Sequence, residues 1–197
     1  MFTGIVQKAT LHKIVPDVNG WELVVHKSEF AKIVQLGDSV AIDGACLTVT
    51  KIEDVLLSFF VSTESIAKTI IQTYQVGQIV NIELPMQPTG YLGGHYVLGH
   101  VDATAKVVGL TVTETAWFFK IEVPEQFAKY IVYKGSIAIN GVSLTINEVH
   151  ENVIELCIIP TTLEKTNINQ LIVGSIVNIE FDILAKYTEQ LLLKRNV

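Results

Sequence analysis

The segment VAIDGACLTVT at residues 40–50 returns as IAINGVSLTIN at residues 137–147, with Cys46 and Ser143 standing 97 positions apart. The same offset relates VGQIVNIE at 76–83 to VGSIVNIE at 173–180. A period this long exceeds the roughly 20–50 residues of solenoid and propeller units, so each copy is expected to be a small domain with its own core. The 197 residues hold two such domains, expected at residues 1–87 and 88–182 with a tail at 183–197. The linker is placed at 85–92, where Pro85, Pro88 and Gly90 interrupt any strand. Differences between the copies mark where function was free to diverge.

Hydrophobic residues make up 49% of the chain, yet charges interrupt every apolar run before the ~18 residues that a spanning helix needs. The opening MFTGIVQK has no basic segment followed by an apolar one, so secretion is not expected and a cytoplasmic location is. In such a compartment Cys46 and Cys157 remain thiols. No CxxC or His/Cys cluster has metal-ligand spacing. A net charge of −6 argues against a general nucleic-acid binder, which needs a basic face.

Short runs rich in Val, Ile, Thr and aromatics at 20–26, 39–42, 47–52, 56–62 and 79–84 alternate with Gly, Asn and Asp. They read as short antiparallel strands around tight turns. The second copy repeats them at 116–122, 136–139, 144–149, 153–159 and 176–181. With helical turns near 30–34 and 127–131, the pattern predicts an all-β fold of two small closed barrels, which leave no open sheet edge. Residues 183–195 have no counterpart. Leu184, Tyr187, Leu191 and Leu192 recur there at helical spacing, a stripe that packs on its own barrel or joins other subunits.

Each repeated Asx-Gly turn releases a strand whose alternation puts Cys46 with Thr48, and Ser143 with Thr145, on one face. That is read as a polar face inside an apolar barrel, although hydroxyls beside a turn also serve the local backbone. GGHYVLGHVD at 93–102 sets His95 and His100 among three glycines. Glycine admits close backbone approach and imidazole exchanges protons near neutral pH. The matching stretch of copy one is 1–6, with Gly4 taken opposite His100, and it has no histidine. Cys46 has no basic neighbour in sequence to activate it, which favours a ligand contact over a covalent role. Cys157 reads as packing. Lys134 is a solvated turn residue or a cationic arm over a pocket.

Together the start MFTGIVQ, the two G-x-C/S-L-T turns, GGHYVLGHVD and the paired EKTN and AKT segments resemble riboflavin synthase over essentially the whole length. The resemblance implies two six-stranded Greek-key barrels, a C-terminal helix that assembles a homotrimer, and an association with lumazine synthase. It implies the dismutation of two 6,7-dimethyl-8-ribityllumazine molecules into riboflavin and 5-amino-6-(D-ribitylamino)uracil by transfer of a four-carbon unit, with no cofactor or metal. Carried over, copy one supplies Gly4, Ile5, Val6, Ser39, Cys46, Leu47, Thr48 and a strand end Phe60, Val61, Ser62, Thr63, Glu64 and Ser65. Copy two supplies Gly99, His100, Val101, Lys134, Ser143, Leu144, Thr145 and Ile158, Ile159, Pro160, Thr161, Thr162 and Leu163. His100 with Ser143 and Thr145 is assigned the proton chemistry, with Cys46 and Asp182 as further catalytic residues. The family commonly has Asn in the first turn and Asp in the second, the reverse of Asp43 and Asn140 here, and Asp where Phe60 stands. Lumazine or flavin carriers share the duplicated fold and are the rival reading; they typically lack the histidine arrangement.

Overall fold

The computed structural model describes residues 1–195, so the last two residues of the expected tail lie outside the described residues. Twelve strands form two closed antiparallel barrels in the order β1-β2-β5-β4-β3-β6 and β10-β11-β8-β7-β12-β9. In the first, β1 is Gln7–Asp17, β2 Gly20–His26, β3 Ser39–Ile42, β4 Ala45–Glu53, β5 Leu56–Val61 and β6 Ile79–Glu83; short helices α1 (Ser28–Ala31) and α2 (Thr63–Lys68) fill two connections. In the second, β7 is Ala103–Val112, β8 Trp117–Glu122, β9 Ser136–Ile139, β10 Val142–His150, β11 Val153–Ile158 and β12 Ile176–Phe181, with α3 at Pro160–Lys165. A final helix, α4, runs Ile183–Arg195.

Two strands and two helices were not apparent from the pattern. Strands β1 and β7 each carry a bulge, at Leu11/Lys13 and Val107/Gly109, which breaks period-two alternation while bending the strand around the barrel. Helix α2 begins where Ser62 Oγ accepts from Ser65 N at 3.1 Å, an N-cap that converts the expected strand end at 60–65 into a strand, a cap and a helix. The equivalent α3 starts with Pro160 in its first turn, where a missing N–H costs nothing.

Each barrel is filled by the inward set of its strands. Leu47, Val49, Leu57, Phe59 and Val61 meet in the first, and Leu144, Ile146, Ile154, Leu156 and Ile158 in the second. Cys46, Thr48, Ser143 and Thr145 therefore stand on the outer faces, not inside. Alternation has two faces, and burial claims the apolar one. Cys157 likewise lies on the outer face of β11, half-buried, in the place that Phe60 takes on β5.

Helix α4 rests on its own barrel through polar groups. Lys186 donates to Asp102 at 2.7 Å, and Glu189 accepts from Lys129 and Tyr130. Its stripe of Leu184, Tyr187, Leu191 and Leu192 points outward, each more than half exposed.

Candidate active site

The two hairpin turns meet back to back. Asp43 and Gly44 have φ of 43° and 80°, and Asn140 and Gly141 have 45° and 76°. Two consecutive left-handed residues make the tight turn that suits a two-residue hairpin, for which Asp-Gly and Asn-Gly are the favoured pairs. A Cβ on Gly44 would lie 2.7 Å from Gly141 N, and one on Gly141 would lie 2.7 Å from Gly44 N, so glycine is required at both. This contact marks a pseudo-twofold axis between the barrels.

Around the axis the barrels exchange side-chain bonds. Asn81 Nδ2 donates to Asn140 O at 2.9 Å, and Asn178 Nδ2 to Asp43 O at 2.8 Å. Asn81 Oδ1 accepts from Asn167 N, and Asn178 Oδ1 from Ile70 N. The symmetry fails at one place. The fully buried Asp43 carboxylate accepts from Asn81 N, Tyr74 Oη and Asn167 Nδ2, whereas Asn140 Oδ1 takes the N–H of Asn178. Burial pushes the Asp43 carboxyl up to about 7, against its three donors.

The segments ahead of the first strand of each copy cross to the opposite barrel. Ser143 N donates to Gly4 O at 2.9 Å, and Cys46 N to Gly99 O at 2.8 Å. Val6 joins the core of the second barrel and Val101 packs against that of the first. Phe2 and Val97 bridge the arms to each other. Each arm stays anchored to its own barrel by a buried carboxylate. Glu83 accepts from Thr3 N and Gly4 N, and Glu180 from Leu98 N, Gly99 N and His100 N. Burial raises both carboxyls, Glu180 to about 7.

These bonds correct the alignment of the arms. Gly4 corresponds to Gly99, with φ of 78° and 80°, and Ile5 rather than Gly4 stands opposite His100. They also redistribute the expected site residues. A cavity of about 270 Å³ on the first barrel is lined by Cys46, Glu64, Ser65, Lys68, Gly99, His100 and Val101 among others. His100 thus sits with Cys46 and is not brought together with Ser143 and Thr145. Ser39, Thr48 and Phe60 are paired in one row across β3, β4 and β5 beside it. Gly4, Ile5 and Val6 belong beside Ser143 on the second barrel.

There Ser143 has a histidine partner that sequence reasoning left out of its site. His95 Nδ1 is 2.7 Å from Ser143 Oγ, while His95 Nε2 is buried without a partner among the described residues. Burial lowers the imidazole pKa, partly offset by the nearby Asp182 charge, so the ring is neutral at pH 7 and able to accept a proton. The spacing of His95 from the glycines gave a hint; its burial against Ser143 could not be read from one strand. Asp182 itself caps α4, accepting from Leu184 N at 2.9 Å.

The other expected residues divide by orientation. Val61 and Ile158 point into the cores, as do Leu47 and Leu144, so only their backbone can face a ligand. Ser62 and Thr63 start α2, with Glu64 and Ser65 on the first cavity. Ile159, Pro160 and Thr161 are exposed, Thr162 is half-buried, and Leu163 packs on the second core. Lys134 is an exposed turn residue at φ 61° with its ammonium 5.0 Å from the Tyr133 ring centre. Glu83 and Glu180 were overlooked although the repeat displays them, because they stand on the outer faces of β6 and β12, opposite Ile82 and Ile179, and only the arms that cover them bury their carboxylates. Among the described residues no group of three or more His, Cys, Asp or Glu could hold a metal ion, and no helix is long and apolar enough to cross a membrane.

The model of the family described as lumazine binding domain matches twice, at residues 3–85 and 98–182. The chain is 42% identical over 195 residues to a riboflavin synthase of Photobacterium phosphoreum, covering 98% of this chain and 89% of that one. It is 35% identical over 197 residues to a riboflavin synthase of Bacillus subtilis, covering 100% and 92%. A crystal structure of LumP complexed with 6,7-dimethyl-8-(1'-D-ribityl) lumazine superposes with a TM-score of 0.84 at 26% identity, covering 92% of this chain and 99% of that one. Two matched domains, near full-length relatives and a shared barrel pair agree: the chain belongs to the riboflavin synthase family, with a lumazine binding domain in each half.

Proposed function

We propose that this chain is an enzyme that converts two 6,7-dimethyl-8-ribityllumazine molecules into riboflavin and 5-amino-6-(D-ribitylamino)uracil. One lumazine binds on the outer face of each barrel, and the observation that carries the reading is the reciprocal arm exchange. It builds two related but unequal sites, one with Cys46 and His100 and one with Ser143 and His95. A reaction between identical molecules in different roles needs two such sites.

The pyrimidinedione edge is held by backbone groups of 46–48 and 143–145, and the ribityl chain by Ser39 on one barrel and Thr162 on the other. The neutral His95 draws on the Ser143 hydroxyl, which removes a proton from the C7 methyl group or adds at C7. His100, on the wall of the first cavity, exchanges protons with the partner lumazine. The four-carbon unit passes from one substrate to the other, so the substrates balance carbon and hydrogen between them. Holding two rings face to face supplies much of the rate through proximity.

One barrel from each of two neighbouring subunits brings the sites together, and the outward stripe of α4 supports a homotrimer. Sedimentation of the chain ended after Asp182 tests that assembly: it is monomeric if the stripe joins subunits. Cosedimentation with lumazine synthase tests that association, and cell fractionation the cytoplasmic location.

The test of the reaction is incubation of the purified chain with 6,7-dimethyl-8-ribityllumazine while riboflavin absorbance is followed, with His100→Ala in parallel. Steady riboflavin formation that falls in the variant supports the enzyme. Tight lumazine binding without turnover makes the chain a carrier.

A further inference from the structure

The duplication supplies an internal control for surface chemistry. Lys8 pairs with Asn81 on β6, as Thr104 pairs with Asn178 on β12. His26 opposes Leu56, as Glu122 opposes Val153, which makes Val123 the counterpart of Lys27. The gap beside these residues exists in both barrels. At these two positions the first has Lys8 and Lys27 where the second has Thr104 and Val123, the second gap having one lysine, Lys106, elsewhere on its border. The fold alone therefore does not call for the lysines.

Lys8 and Lys27 also line a larger cavity of about 460 Å³, which runs between the barrels to Ile5 and Val6 of the crossed arm and to Glu164 and Lys165 at the end of α3. Lys27 is largely buried along its stem and lies 3.3 Å from Glu29. Among the described residues no ion pair engages Lys8 or Lys165. Three lysines thus line one cavity in a chain whose net charge is −6, with Glu164 the one further carboxylate on the cavity wall. Lysine is a point-charge binder of phosphate.

Position selects the anion. Ile5, Val6 and Lys165 are the counterparts of His100, Val101 and Lys68 on the first cavity, and Gly4, next in the chain, holds Ser143 through its carbonyl, so the cavity borders the second ligand site. Four residues span at most about 13 Å, so Lys8 is within reach of the sugar-alcohol chain of a ring lying by Ser143. We infer that Lys8, Lys27 and Lys165 form an anion subsite that receives the phosphate of a ribityl ligand phosphorylated at its chain end. The subsite rests on the reading that the second barrel takes a ribityl ligand, and it gives the chain a means of sensing the phosphorylated form of its own product class.

The experiment compares riboflavin with riboflavin 5′-phosphate by fluorescence titration of the full chain and of K8T/K27V, whose new residues are those the second barrel already accommodates. Wild-type chain binds the phosphate ester roughly tenfold more tightly at low salt. The difference disappears in the double variant, shrinks with added salt, and is competed away by millimolar inorganic phosphate while riboflavin stays bound. Equal affinities in the wild type, or a preference that survives both substitutions, overturns the subsite. Failure of riboflavin itself to bind overturns the ligand-site reading, and the subsite with it, and is told apart by the riboflavin arm alone.

Discussion

Asn167 reaches across the barrel interface to donate its Nδ2 to Asp43 Oδ1 at 2.9 Å, joining residues 124 positions apart. The carboxylate and its amide partner sit in opposite copies, where the equivalents are Asn140 and Ile70. The turn charge and the side chain that satisfies it form one asymmetric unit. Asn167→Ile removes a donor from a buried carboxylate and is expected to cost about 1–3 kcal/mol, measurable by urea denaturation.

Asp43 also sets a pH dependence. Its folded pKa of about 7 lies above the roughly 3.9 of an unfolded chain, so the folded state binds more protons between these values. Stability is full below pH 4 on this account and is lost as pH rises through 7. Glu180 acts in the same direction. Asp43→Asn keeps the shape and lets Tyr74 Oη become the acceptor. It is expected to flatten the fall in melting temperature between pH 5.5 and 8.5 by about 5 °C, leaving the part due to Glu180. An unchanged slope in calorimetry would contradict the burial of a titrating Asp43.

How far the sequence could be read depended on the kind of contact. Strands β2, β3, β5, β6, β8, β9, β11 and β12 fall within a residue of the expected bounds, because no bulge interrupts their alternation. Gln7–Asp17 and Ala103–Val112 escaped because their bulges shift phase. The Asx-Gly turns and the polar partners Cys46, Thr48, Ser143 and Thr145 were legible from the repeat, but their face was misjudged. A repeat tells which residues are equivalent and not which barrel they complete, so His100 was grouped with Ser143 although its arm crosses to Cys46.

His95 and Ser143 are expected to act as a unit. His95→Ala and Ser143→Ala each lower riboflavin formation about 10²-fold or more, and the double variant is little worse than either single one. Steady-state rates at saturating lumazine decide this; multiplicative losses would show independent roles.

The crossed arms make a local change act at a distance. A Cβ on Gly4 would lie 2.5 Å from Ser143 Cβ, and one on Gly99 would lie 2.6 Å from Cys46 Cβ. Gly4→Ala is therefore expected to weaken lumazine binding at the second barrel and Gly99→Ala at the first, by tenfold or more on the order of a steric loss of about 1–3 kcal/mol. Gly37→Ala, with nothing within 4 Å but φ of 89°, is expected to lower stability by about 1 kcal/mol and leave both sites intact. Ligand titration with thermal melting separates the three.

Because Gly4 serves Ser143 and Gly99 serves Cys46, each site descends from both halves of the duplicated gene. A substitution drifting into one half alters the neighbourhood of the other half's hydroxyl or thiol, so the copies are bound to evolve as a pair. Recombination that replaced one half with a distant relative's would change both sites at once, giving a chimera with two mismatched sites rather than one old and one new.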